Sequence, residues 1–298
     1  MENFKRIEEK FGKISEKGLS PEIVIDSIIK TFLKGVPNWR SPFLQYNICS
    51  PVNIVASALA CIANELNIHN ISTDFAGTCL SAEIAISRII AKLIDKDPST
   101  IRGIFTFGGT GSNMYAFKLA FNHIDPLIYK KGLKDKIYYF ITENAHFSHK
   151  TIADWLGLGF DRLIIIKADK ESRSLVSDAK TKMEEIIKNG GIIAGITLNG
   201  GPFYDFAIDD IEAFVKLREW LIKKYKLQYK FRIHVDSVIG WIWLVFNGYD
   251  FERNPLKIPE DVKPLIKNQF NQTKRKNFYR KVKLTFYRLN TDKLVLIR

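Results

Sequence analysis

Cysteine is scarce in this 298-residue chain: there are three, Cys49, Cys61 and Cys79, and no CxxC pair. An odd number at these spacings excludes a disulfide framework and a zinc knuckle, and the three read as reduced, mostly packed thiols. No run of about 18 apolar residues occurs, so no membrane-spanning helix is expected. The opening stretch MENFKRIEEKFGKISEKG is charged and has no apolar signal core, which predicts a cytosolic location. Acidic residues are nearly absent from the last 36 positions, where Asp292 stands alone against 11 lysines and arginines. Internal repeats and low-complexity segments are absent too.

What remains is ordinary globular composition, 46% hydrophobic and 26% charged, enough for one large α/β domain or two smaller ones. The net charge of +13 would suggest nucleic acid, but its distribution argues otherwise. Residues 1–262 carry 34 basic against 31 acidic side chains, so the basicity belongs to the tail. Phe278, Tyr279, Phe286 and Tyr287 lie among its cations, a pattern that could stack on single-stranded nucleic acid. Without a recognisable module such a tail reads more simply as solvated chain, and nucleic acid is not the expected partner.

Residues 1–40 read as amphipathic helix, broken by Pro37 and Pro42. PVNIVASALACIANELNI (51–68) is a second helix. SAEIAISRIIAKLI (81–94) is a third, with Ser81 as N-cap and Ile86, Ile89, Ile90 and Leu93 on one face. From residue 101 short β-rich runs alternate with helical stretches, and the strands are apolar nearly throughout. That alternation predicts an α/β fold with a mainly parallel sheet flanked by helices on both faces. The organisation expected is an N-terminal helical segment (1–50), a large domain (51–262) and a basic tail (263–298).

Ligands in such folds gather at the C-terminal strand ends. There the sequence places Gly108, Gly109 and Gly111 after the first strand, Glu143-Asn144-Ala145-His146 after the second, NGGPFYD after the fourth, and Asp236-Ser237 at the last. A glycine turn opening a helix aims N–H groups and a helix dipole at one point, which suits a phosphate, although a plain tight turn reads the same way. Gly109-Thr110-Gly111 is also part of a dinucleotide fingerprint, but the spaced third glycine and the later acid are missing. His146 offers a planar face for a flat ring, or caps a helix at the surface. Asp236 offers a carboxylate that would favour a protonated ring nitrogen, or caps the next element. His146 and His149 lack further ligands, so no metal is expected. His69, His123 and His234 show no pattern.

In this order the pieces resemble the group II pyridoxal-phosphate-dependent amino acid decarboxylases, the family of glutamate, aromatic amino acid, tyrosine and histidine decarboxylases. Their phosphate turn, G-x-F-T-S-G-G-[ST]-x-A-N, is matched by Gly103 to Asn113; their A-H-x-S by Ala145-His146-Phe147-Ser148; and their H-V-D-[AS] by His234 to Ser237. LGLG (156–159) agrees with the family's usual sequence beyond the helix that the second motif opens. The likeness covers roughly residues 40–262. It implies a fold-type I large domain, incomplete at its C-terminus, with pyridoxal 5'-phosphate as cofactor and an amino acid as substrate. It further implies a homodimer, with Gly109, Thr110 and Gly111 at the phosphate, His146 on the ring and Asp236 at the ring nitrogen.

Two departures qualify it. Where the family has G-T-T, the chain has Gly201-Pro202-Phe203, so a hydroxyl that seats the cofactor is missing unless Thr197 substitutes. The family's Schiff-base lysine lies in a D-S-x-x-x-D-x-H-K-type segment beyond the aspartate, and no such segment occurs after Asp236. Lys276, Lys281, Lys283 and Lys293 lack that context. The expectation is a decarboxylase fold with little or no turnover, its end foreign to the family, as in a frameshifted gene. The rival is a non-catalytic remnant or partner of a full-length relative. RSPFLQYN, Trp241 and Trp243 could line a side-chain pocket, though both tryptophans read more simply as core.

Overall fold

The computed structural model describes residues 2–12, 16–37, 53–69, 71–93, 97–202, 207–241, 246, 249–264 and 294–297. Cys49, the RSPFLQYN segment, Phe203, Trp243 and the four candidate lysines lie outside the described residues. The chain divides into two compact units, Met1–Cys61 and Ile62–Arg298.

In the first unit, α1 (Glu2–Phe11) and α2 (Pro21–Thr31) form where amphipathic helix was expected. The start of α2 is set by Pro21 at the first turn and by Ser20, whose hydroxyl accepts the Ile23 N–H. No residue of α2 is buried, and Ile23, Val24, Ile25, Ile28 and Ile29 are exposed. α3 (Ile54–Leu66) comes next, its first turn capped by the Asn53 side chain.

The second unit continues with α4 (Thr73–Ala76) and α5 (Cys79–Leu93). Ser81 lies inside α5 and does not cap it. Ile86 and Ile89 are exposed, whereas Ser87 and Ala91, one turn apart, are buried. Small residues form the buried stripe here, not the isoleucines the pattern favoured. Cys61 and Cys79, expected to be packed, are exposed.

β1 (Arg102–Phe105) pairs in parallel with β6 (Leu294–Ile297), apart from the main sheet to which its position in the alternation assigned it. The Glu83 carboxylate on α5 accepts the Phe105 N–H, which satisfies the end of this short strand. The main sheet is four-stranded and parallel throughout. It contains β2 (Ile137–Thr142), β3 (Leu163–Ile166), β4 (Ile192–Asn199) and β5 (Arg232–Asp236), in the order β3-β2-β4-β5. The helices between these strands are α8 (Ser148–Trp155), α9 (Val176–Lys188) and α10 (Ile211–Tyr225); α6 (Gly109–Ile124) and α7 (Ile128–Lys131) precede β2.

Each sheet face carries its own core, because successive side chains of a strand point to opposite sides. Phe140, Ile193, Ile196, Leu198 and Ile233 pack with Met183, Phe214 and Leu221 of α9 and α10. Ile137, Tyr139, Ile141 and Ala194 pack with Phe117, Ala120 and Phe121 of α6 and Ile152 of α8. Each Ile, Leu, Phe or Met side chain among these, fully buried, contributes about 1.5–3 kcal/mol.

The α6 face closes on an unusually small residue. The register between β2 and β4 slips at Tyr138/Tyr139, so that Ile193 faces Tyr138 while Gly195 faces Tyr139. A Cβ on Gly195 would stand 2.7 Å from the Tyr139 ring and 3.1 Å from the Ala120 Cβ. The Tyr139 ring cannot swing away, because it stacks on Phe117 with centroids 3.7 Å apart and its hydroxyl bonds Thr197. Gly195→Ala is therefore expected to destabilise the fold by about 1–3 kcal/mol through overpacking. Urea unfolding measures this; an unchanged midpoint would show that the Tyr139 ring yields.

Candidate functional site

The sheet reverses its order of growth at β2 and β4, the position where open α/β sheets leave a crevice at their C-terminal ends. Buried polar residues gather there: Thr142, Thr197, Asn199 and Asp236 on the strands, Ser112 and Asn113 on α6, Ser148 and His149 on α8. Buried polar groups cost free energy unless bonded, so their partners define the site.

The glycine turn is built as expected. Gly108 caps α6 with φ at 130°, a conformation that L side chains rarely adopt, and a Cβ there would meet nothing within 4 Å. The first backbone bond of the helix runs from the Ser112 N–H to the Gly108 carbonyl, so the N–H groups of Gly109, Thr110 and Gly111 precede the intrahelical ladder. Thr106 ties the turn from within: its hydroxyl donates to the Gly108 carbonyl at 2.8 Å and lies 2.9 Å from the Ser112 hydroxyl. At Gly111 a Cβ would crowd the Thr106 Cβ at 3.0 Å and the Phe107 ring at 3.1 Å.

One turn into α6, Asn113 connects this end of the helix to the last strand. Its Nδ2 donates to Asp236 Oδ2 at 2.9 Å, and its Oδ1 accepts from His234 Nε2 at 2.8 Å. A carboxylate only accepts, which fixes the amide's orientation and requires His234 to carry its proton on Nε2. Burial holds the His234 imidazole down at about 4, against the opposing pull of Asp236. Sequence pattern alone assigns His234 no role and Asn113 only a place in a motif. The signal was available, since residues two apart on a strand share a face and Asn113 lies one helical turn beyond Gly109.

His146 sits in the loop after β2. Ser148 meets its Nδ1 with both the hydroxyl (2.9 Å) and the backbone N–H (3.2 Å). His149, which sequence pattern offers only as half of a metal pair, is fully buried beside the Phe117 ring. Its Nδ1 bonds the His146 carbonyl at 2.8 Å, and its Nε2 is buried without a hydrogen-bond partner. Burial lowers the His149 pKa, while the charge of Asp236 pulls it the other way.

Two expectations are corrected. Thr197 does not stand in for the missing hydroxyl, because it is fully buried and 3.0 Å from the Tyr139 hydroxyl, two pairs deeper in the sheet than Asp236. Trp241 is 36% exposed and so not a core residue. Among the described residues no group of three His, Cys, Asp or Glu side chains could hold a metal ion, and no helix is long and apolar enough to cross a membrane.

These residues fit pyridoxal phosphate: a helix-opening glycine cradle and a strand-end carboxylate oriented by an amide. The comparisons with known proteins agree. The model of the pyridoxal-dependent decarboxylase conserved domain matches residues 3–244, and the chain belongs to that family, whose cofactor is pyridoxal phosphate. The acidic amino acid decarboxylase GADL1 of Xenopus tropicalis is 29% identical over 149 residues, 49% of this chain and 28% of the relative. The crystal structure of mouse CSAD superposes with a TM-score of 0.70 at 22% identity, covering 82% of this chain and 49% of that one. A glutamate decarboxylase domain from Vibrio parahaemolyticus gives a TM-score of 0.67 at 24% identity, covering 81% and 53%. The chain thus spans about half the length of these two solved structures, and both likenesses show the fold.

The strand end facing Asp236 has its own anchor. Asn199 pairs with Asp236 in register, and buried Asp209 accepts the N–H groups of Ser174 and Asn199, each at 2.6 Å. Burial outweighs both donors and lifts the Asp209 carboxyl from 3.8 to about 6. A raised carboxyl pKa makes its contribution to stability greatest below the unfolded value, and that contribution is lost as pH rises through the folded one. Unfolding free energy is therefore expected to fall between about pH 4 and pH 6, by up to about 3 kcal/mol from this group. Urea titrations across that range should show a shallower slope in Asp209→Asn; an identical slope would assign the dependence to other carboxyls.

Proposed function

We propose that this chain binds pyridoxal phosphate at the C-terminal end of the sheet. Gly109, Thr110 and Gly111 receive the phosphate with their N–H groups and the Thr110 hydroxyl. His146 lies against the ring, and Asp236 pairs with the ring nitrogen. The observation that carries this reading is the Asn113–Asp236 hydrogen bond, which joins the helix opened by the glycine turn to the one strand-end carboxylate that the ring nitrogen requires. When bound, the cofactor supplies an electron sink, and a carboxylate at its ring nitrogen strengthens that sink. Asn113 keeps Asp236 oriented and His146 covers one side of the ring.

The activity proposed is decarboxylation of an amino acid, the chemistry for which the family is named. The D-S-x-x-x-D-x-H-K segment has no match after Asp236, so these 298 residues by themselves are proposed to seat the cofactor without bonding it and without turnover. A second copy of the chain is the proposed partner, a reading supported by the exposed isoleucines and valine of α2.

Titration of pyridoxal phosphate into the purified chain, monitored by absorbance, is expected to show saturable binding. Asp236→Ala should abolish it. Asn113→Ala should weaken it roughly tenfold, the worth of one hydrogen bond to a charged group. Borohydride reduction and peptide mass mapping should find no pyridoxyllysine. Binding indifferent to Asp236→Ala would place the site elsewhere, and a folded chain that binds nothing would favour the non-catalytic remnant. One modified lysine would show that the chain supplies its own anchor.

A further inference from the structure

Two histidines three residues apart are held by hydrogen bonds that dictate opposite tautomers. Ser148 is the first residue of α8, and its backbone N–H is among the helix-opening donors that need an acceptor outside the helix. It finds His146 Nδ1 at 3.2 Å, with the Ser148 hydroxyl at 2.9 Å from the same atom. A backbone N–H can only donate, so Nδ1 of His146 must be bare and the proton of the neutral ring must sit on Nε2. His149 is bound by the converse rule. The His146 carbonyl only accepts, and it takes two bonds from His149: the backbone N–H at 3.1 Å and Nδ1 at 2.8 Å. Nδ1 of His149 therefore carries the proton, and its buried Nε2 is bare.

We infer that Ser148 and His149 are positioning residues that hold His146 as the Nε2–H tautomer, so that it meets a bound ligand as a hydrogen-bond donor. Ser148 fixes the ring's proton and orientation through Nδ1. His149 clamps the carbonyl of the same residue from beneath, wedged against Phe117 with ring centroids 5.9 Å apart. The group recognised by Nε2–H is an acceptor, best an anionic oxygen, because charge-assisted hydrogen bonds are the stronger ones. The part about a ligand rests on the proposed cofactor site, whereas the tautomers belong to the protein alone.

The two parts are tested separately. In the ligand-free protein labelled with ¹⁵N-histidine, long-range ¹⁵N–¹H correlation spectra are expected to show protonated Nε2 with bare Nδ1 for His146, and the reverse for His149. His146 protonated on Nδ1, or a mixture of tautomers, would overturn the inference whether or not a cofactor binds. Pyridoxal phosphate affinity then tests the clamp. His149→Leu, which has no donor, should raise the dissociation constant about tenfold. His149→Asn, whose Nδ2 sits close to the position of the imidazole Nδ1, should restore most of it. Equal loss in both variants would show that the Nδ1 bond positions nothing. Should both fail to fold, or the wild type bind no cofactor, the tautomer spectra of the wild type still decide the inference.

Discussion

The hydrogen bond from Asn113 to Asp236 joins groups 123 positions apart in sequence, and the proposed site depends on it. It requires α6 to lie close against the sheet, and the sheet is shaped for that. Gly195 withholds a side chain beneath Ala120, Tyr139 lies flat against Phe117, and the irregular pairing of β2 with β4 places Gly195 opposite Tyr139. These packing features have no polar chemistry of their own. They set the height at which the first turn of α6 meets the end of β5, and so decide whether the glycine turn and the carboxylate address the same crevice.

Charge around Asp236 is governed by burial. Two histidines, His149 and His234, interact with its carboxylate, and either one as an imidazolium would already neutralise it. Burial pushes both toward the neutral form, and His234 further spends its Nε2 proton on the Asn113 carbonyl oxygen. Among the described residues the carboxylate is supported by an amide dipole and not by a cation. Such support orients the carboxylate without spending its charge on the amide, which suits the cationic ring nitrogen of the proposed reading. An Asp paired with Lys or Arg at this position would be as well ordered and far less useful.

Much of this was legible from residue pattern. The alternation after residue 101 reads directly as strands and helices because parallel strands buried on both faces are apolar throughout, and the helices between them carry a single apolar stripe. Local motifs pointed to the glycine turn, His146 and Asp236 as the residues of the proposed site. The features that escaped depend on partners that a linear pattern does not display. Ile86 and Ile89 are hydrophobic yet exposed, while the small Ser87 and Ala91 lie inward. β1 pairs with Leu294–Ile297 and not with the main sheet. Thr197 offers a hydroxyl, but within β4 it pairs with the Tyr139 hydroxyl, 58 positions away. His234 looked patternless because its role is defined by Asn113, at the far end of the same long-range contact.

The polar end of the sheet also bears on why this architecture suits the proposed cofactor. Parallel strands end together, so four loops and the opening of a helix converge on one edge, and each backbone group there needs a partner that the ladder no longer provides. Some are met by side chains fixed in place. Asp209 takes the Asn199 and Ser174 N–H groups, Glu143 takes the Ala168 N–H, Ser237 donates to the Gly200 carbonyl, and His149 donates to the His146 carbonyl. These residues bind no ligand in the proposed reading, yet they hold rigid the loops that would. Preorganisation of this kind moves the cost of ordering from the moment of binding to the moment of folding. Among the described residues at this end of the sheet, the Nε2 of His149 and the Ser174 hydroxyl are the buried polar atoms without a partner. A neutral imidazole used at one nitrogen and bare at the other fits a residue placed to hold a neighbour in position, at a tolerated loss of one hydrogen bond.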